Sequence, residues 1–186
     1  ELLPGEPEAM GLLALMLYAE SRRRARRDAN GEYVPMMEQR IEDWNRPMID
    51  EAEELLRGAC CGNVLGRYQL EAACQSAHVD LRRSGRSNWA QVVQLYDALL
   101  AYSNSPVVAL NRAVALAEVQ GPQAGIAAVN AIQNRSSLES YHLFHAALGE
   151  FESRLGHAPA AAAHFQKAFQ LAEIKSSLPS PLTSAA

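Results

Sequence analysis

From Met10 to Leu17 the chain is apolar at almost every position, which predicts a helix buried by several neighbours. It is expected to run from Pro7 to Arg27 and to stop at the turn Asp28-Ala29-Asn30-Gly31, where Asn and Gly accept positive φ cheaply. Glu32 to Met37 has no helical period and contains Pro35, so it reads as extended, part of a small hairpin. Asn45 is a good N-cap and Pro47 fits a first turn. The next helix therefore follows Asn45, turns Ile49, Ala52, Leu55, Leu56 and Ala59 inward, and ends near Gly62. A third helix is predicted from Arg67 to Leu81, with Tyr68, Ala72, Ala73 and Ala77 on one side, followed by a polar loop over residues 82–87. Asn88 with Gln91 resembles a capping box. The helix it opens carries an inward stripe of Trp89, Val92, Val93, Tyr96, Leu99 and Leu100.

Punctuation continues in the same style. Ser105-Pro106 starts a helix, and Gly121-Pro122 stops it and starts another. Ser137 to Leu155 reads as one helix ended by Gly156, and Ala158 to about Ile174 as the last. No segment alternates as a strand. The fold class is all-α, with short connections that imply antiparallel helical hairpins. Gly121 and Gly156 lie 35 residues apart, each between a long helix and an alanine-rich one. A period near 34 in helix–turn–helix units is the tetratricopeptide (TPR) signature. Leu148-Gly149, Ala161, Phe165 and Ala168 fall where that pattern places its small and bulky packing residues. The expected architecture is a TPR-like α-α superhelix. Residues 1–104 form a helical segment, 105–174 TPR-like repeats, and 175–186 a flexible tail of disordered composition.

Composition narrows the function. An apolar fraction of 48% over 186 residues can bury a core, while a net charge of −4 argues against a dominant phosphate-gripping surface. No apolar run reaches the roughly 18–20 residues of a membrane helix, and nothing reads as a signal peptide. Three cysteines, Cys60, Cys61 and Cys74, fit a reducing cytoplasm better than a disulfide scaffold. The start at Glu1 reads as the interior of a longer protein.

Five arginines, at positions 22, 23, 24, 26 and 27, follow the oily helix. A helix C-terminus favours positive charge, and Glu20, Asp28 and Glu32 stand near. Structural bracing or protein docking therefore outweighs a nucleic-acid arm, which lacks interleaved aromatics. Cys74 with His78, and His142 with His145, could share an ion and motivate a metal-dependent helical enzyme. Neither pair has a completing ligand motif, so buried thiols and packing histidines are preferred and no metal or cofactor is expected. No nucleotide-binding or nucleophile-elbow motif is present, and the reading is non-enzymatic.

Several stretches occur in a fixed order: PEAMGLLALMLYAESRRRAR, ANGEYVPMMEQ, WNRPMI, GRYQLEAACQSAH, NWAQVVQLYDALLAYSNSPVVALNRAVALAEVQGPQAGIAAVNAI and YHLFHAALGEFESRLG. Together, over roughly residues 1–172, they resemble the long C-terminal extension of a group of extracytoplasmic-function (ECF) sigma factors. The resemblance implies that residues 1–104 follow absent sigma regions that bind core RNA polymerase and read promoter DNA. It implies a regulatory, protein-interaction module whose partners are those sigma regions, core polymerase or both, with promoter DNA reached only through the absent regions. Candidate interaction residues are Arg23, Arg24, Arg27, Trp44, Arg46, Tyr68, Gln69, Asn111 and Arg112, with internal hydrogen bonding and core buttressing an equal alternative for the last four. This chain has Gln39-Arg40-Ile41 where the family tends to show Gln-Asp-Arg, has Arg67 in place of a common Pro, and leaves the pattern after Ala172. The alternative is a free-standing TPR-like scaffold unrelated to transcription.

Overall fold

A computed structural model describes residues 5–61 and 65–177, the last four of these as helix backbone. Eight α-helices are seen among them: α1 (Pro7–Ser21), α2 (Arg46–Ala59), α3 (Arg67–Ser84), α4 (Trp89–Tyr102), α5 (Pro106–Gln120), α6 (Pro122–Asn130), α7 (His142–Arg154) and α8 (Ala158–Ser177). The chain is all-α and divides into two compact units, Glu1–Ser103 and Asn104–Ala186.

In the first unit α1 packs against α2 and α3, and α3 against α4. The core joins Ala14 and Tyr18 of α1 to Ile49, Ala52 and Leu56 of α2 and to Ala72 and Val79 of α3. The prediction that α1 is buried all round is wrong. Leu12, Leu13 and Met16 are 38%, 41% and 60% exposed. Helix α1 docks through its small face instead. A Cβ added at Gly11 would stand 2.7 Å from the backbone nitrogen of Gln69, so the glycine lets α1 and α3 touch backbone to backbone.

Glu8 of α1 also caps α3. Gly66 has no side chain to cap with, and Tyr68 N–H and Gln69 N–H donate to the Glu8 carboxylate at 3.3 and 3.5 Å. A Cβ at Gly66 would collide with that carboxylate.

Helix ends depart from the periodic reading for local reasons. Helix α1 stops at Ser21, not Arg27, because Asn45 N–H donates to the Ser21 carbonyl at 2.8 Å and takes the acceptor a continuing helix would use. The arginines run on into a 3-10 turn, Arg24–Arg26. The expected hairpin shrinks to one antiparallel bridge, Arg27 with Tyr33. Asn45 does cap α2, accepting from Met48 N–H. Gly62, where that helix was expected to end, lies outside the described residues. Helix α3 runs through Arg82 and Arg83 to Ser84 and is ended by Gly85 at φ 66°, so the polar loop is shorter than predicted. Asn88 makes no capping bond to α4. Its amide donates to the Ala77 carbonyl at 2.7 Å, fastening the loop to α3.

The second unit contains two hairpins, α5–α6 and α7–α8, with α6 also packing on α7. Gly121 and Gly156, at φ 92° and 80°, make the tight corners. Each hairpin has a glycine seam. A Cβ at Gly125 would lie 2.7 Å from Ala117 Cβ, and one at Gly149 2.8 Å from the Phe165 ring. The helix predicted over Ser137 to Leu155 is broken into a 3-10 turn (Arg135–Leu138) and α7. Leu138 and Phe144 are both buried in the same core. Six residues of unbroken helix would set them ~120° apart, so the break turns both inward. Phe165, expected to fill a gap between repeats, is 42% exposed, and Phe169 is 64% exposed. The tail residues 178–186 lie outside the described residues.

Candidate functional site

The arginine series is built into the end of α1. Arg22 is 8% exposed: its Nε donates to the Tyr18 carbonyl at 3.4 Å, and its Nη2 to Gln75 Oε1 of α3 at 2.6 Å. Its guanidinium lies 6.0 Å from the centre of the Trp44 ring. Burial, with help from Arg26, holds its pKa below the ordinary guanidinium range. Arg26 donates to the Ala19 carbonyl at 2.8 Å, so two arginines satisfy carbonyls of the last helical turn. Arg27 donates to the Gly31 carbonyl at 2.6 Å, while Asp28 accepts from Asn30 and Glu32 N–H and shapes the turn. The five arginines are thus not one cationic patch. Arg22, Arg26 and Arg27 are turned to internal acceptors, and Arg23 pairs with Glu20 at 3.1 Å.

Trp44 stands between the 3-10 turn Ile41–Asp43 and α2, 6% exposed. A cleft of about 910 Å³ opens beside it, lined by Glu20, Ser21, Arg23, Arg24, Glu42, Asp43, Trp44, Asn45, Arg46, Pro47 and Met48. A smaller recess of about 470 Å³ shares Glu42, Trp44 and Arg46 and adds Ile41, Ile49 and Arg83. Arg40 approaches Glu42 and Asp43 at 3.9 Å, a loose and solvent-screened pairing. Arg24 and Arg46 have no acidic partner among the described residues. The indole N–H of Trp44 is sealed from solvent without a hydrogen-bond partner.

Four of the nine candidate residues, Arg23, Arg24, Trp44 and Arg46, therefore meet in one cleft. The other five do not join it. Gln69 is 1% exposed. Its Oε1 accepts from Gly66 N–H and its Nε2 donates to the Ala59 carbonyl, both at 2.6 Å. It braces the end of α2 against the start of α3, with no surface left for a partner. Tyr68 is half-buried, with the Arg67 guanidinium 5.7 Å from its ring centre. Arg27 is tied to its own turn. Asn111 is exposed and Arg112 half-buried on α5, in the other unit. Sequence reasoning missed Glu42, Asp43 and Met48 as cleft walls. Glu42 and Asp43 belong to a 3-10 turn that α-helical periodicity does not describe, and Met48 lies in the first turn of α2.

No three His, Cys, Asp or Glu side chains come together to hold a metal among the described residues. Burial pushes the Cys74 thiol up to about 12, which keeps it protonated at neutral pH. His78 packs edge-on to Trp89 with ring centres 5.7 Å apart. His145 neighbours His164 at 5.8 Å and lies 2.9 Å from the Glu139 carbonyl through Nε2. Burial, aided by Arg22, lowers the pKa of His78 from 6.5; burial, aided by His145, lowers that of His164. Both groups bind protons more weakly folded than unfolded, so folding loses stability as protons are added. Stability should be full above about pH 6.5 and decline as pH falls from there through the folded-state values. Denaturant midpoints measured at about pH 5–8 check this. His78→Gln with His164→Gln should flatten the slope, and an unchanged slope would assign it elsewhere.

Residues 1–60 match the model of a family described as a family of unknown function, DUF6596. The whole 910 Å³ cleft lies within that stretch. Over 171 residues the chain is 41% identical to an uncharacterized protein of Rhizobium meliloti (strain 1021). The similarity takes in 92% of this chain and 40% of that protein. The chain thus spans two-fifths of the length of the curated relative it matches. No solved structure matches it.

Proposed function

We propose that this chain is a non-catalytic regulatory and protein-interaction module of an ECF sigma factor, working in the cytoplasm at transcription initiation. The ordered motifs from PEAMGLLALMLYAESRRRAR to YHLFHAALGEFESRLG point to that group. The structural observation that carries the reading is the oily row on α1. Leu12, Leu13 and Met16 are neighbours on one helix face and stand in solvent. Apolar rows left uncovered on a folded unit mark protein contacts. Its partners are the sigma regions expected ahead of α1, core RNA polymerase or both, and promoter DNA is reached only through those regions. No helix among the described residues is long and apolar enough to cross a membrane.

Removing residues 1–186 from the parent polypeptide, with transcript measured from its target promoter, tests the proposal. Altered or lost regulation is expected. Unchanged, normally regulated transcription would sink it and leave a helical scaffold unrelated to transcription.

A further inference from the structure

We propose that the outer face of α8 pairs with the same face of a second copy of this chain, the two helices running antiparallel. This surface lies in the second unit, whereas the oily row on α1 that supports the reading above lies in the first.

Helix α8 closes the second hairpin and packs on α7. Its counterpart in the first hairpin, α6, also meets α7, and there Val129 is fully buried in one core with Phe144 and Phe151. On α8 the outer side stays open. Phe165 and Phe169 are 42% and 64% exposed, and Ala158, Ala162 and Ala172 are exposed with them. Steps of four, three, four and three residues set these five in one row along the helix. That is the seam spacing by which two helices interlock. Two open phenylalanines one turn apart on such a seam differ from single surface apolar residues, which need no partner.

The row selects its own occupant. Small residues, Ala158 and Ala162, hold its first half, and the rings of Phe165 and Phe169 follow. An antiparallel copy that seats Phe165 over the second copy's Ala162 also seats Phe169 over its Ala158, since both pairs are four residues apart. Two-fold symmetry supplies the reverse contacts, so four successive layers each set a ring against a methyl group. Parallel pairing would set ring on ring and methyl on methyl, which packs with gaps. Charge agrees with a second copy. Between Ala158 and Ala172, Lys167 is the only lysine, arginine or carboxylate residue. Two such faces meet without repulsion, and a strongly acidic or basic partner would find no opposing set of charges. The open parts of the two rings together amount to about one whole phenylalanine surface, ~200 Å². Even with the alanines this is less than the ~800 Å² that each partner contributes to a standard interface. The dimer is therefore weak, half-formed at roughly 0.1 mM.

Sedimentation equilibrium of the whole chain from about 10 µM to 1 mM tests this. The average mass should climb from monomer towards dimer and go no further, because a two-fold contact closes on itself. Phe169→Ala should weaken pairing at least about tenfold, since symmetry removes each of its contacts twice. Ala162→Glu places a carboxylate beneath the second copy's Phe165 ring and should leave the chain monomeric throughout. Both positions are exposed, so circular dichroism and thermal melting at about 10 µM should match the unsubstituted chain. Leu12→Ser with Met16→Ser, on the exposed row of α1, should leave pairing unchanged. A monomer still at the highest concentration, growth past the dimer, undiminished pairing in either α8 variant, or pairing lost in the α1 variant would each overturn the proposal.

Discussion

Replacing Phe151 by alanine is expected to cost about 3–5 kcal/mol of folding stability, the largest effect of any single truncation considered for this chain. The ring is 2% exposed in the core of the second unit, with Leu110, Ala113, Ala117, Val129, Leu138, Phe144 and Leu148. The cost should lie at the high end because the site cannot collapse. Its ring already fills the space above Gly125, where an added Cβ would come within 3.0 Å of it. That glycine is in turn pressed against Ala117. Helices already packed this closely through a glycine and an alanine have little room to move in and close a void, so the cavity persists. The comparison is Phe169→Ala, a ring 64% exposed, which should change stability by less than about 0.5 kcal/mol. Denaturant unfolding followed by circular dichroism separates the two, read at constant m-value. Equal costs would show that the glycine-seamed core is not what holds this unit.

Gly11→Val should destabilise the first unit by about 2–3 kcal/mol. Valine in a helix interior is ordinarily somewhat better than glycine, so a surface position would predict a small gain. Here the new Cβ meets the backbone nitrogen of Gln69 at 2.7 Å, and no side-chain rotation relieves a clash with a main chain. Helix α3 must shift. The shift also strains the Glu8 cap on α3 and the buried Gln69 bonds to Gly66 and Ala59. A double mutant with Gln69→Ala tests that coupling. The two costs should sum to more than the pair shows together, since both disturb the same joint. Gly31→Val is no substitute control because Gly31 sits at φ 83°. Gly58→Ala is better, since its Cβ would meet only the flexible end of Met10.

Much of this molecule is written in short-range chemistry. The Asn45 cap, Pro at the starts of α5 and α6, and the paired corner glycines Gly121 and Gly156 correctly marked where α2, α5 and α6 begin and where the two hairpins turn. Each acts within about one helical turn, so each is legible without a fold. The arginine cluster was also read in the right sense, as the fittings of a helix end, although it lies past the helix and not inside its last turn.

What sequence reasoning got wrong was decided by partners far along the chain. Composition could not tell which side of an oily α1 would be covered, because burial depends on where α2 and α3 land. They landed on Gly11, Ala14 and Tyr18, which left Leu12, Leu13 and Met16 outside. By sequence Gln69 stood either in a groove or as a core brace, and its bonds to Ala59 and Gly66 make it the brace. The cleft has the same origin. Arg23, Arg24 and Arg46 lie on opposite sides of an irregular return, and only the Asn45–Ser21 hydrogen bond and the Trp44 anchor bring them to one opening. Periodicity and capping thus determine which segments are helices. Close approach at small residues, and the long-range bonds it permits, determine which faces remain for a partner.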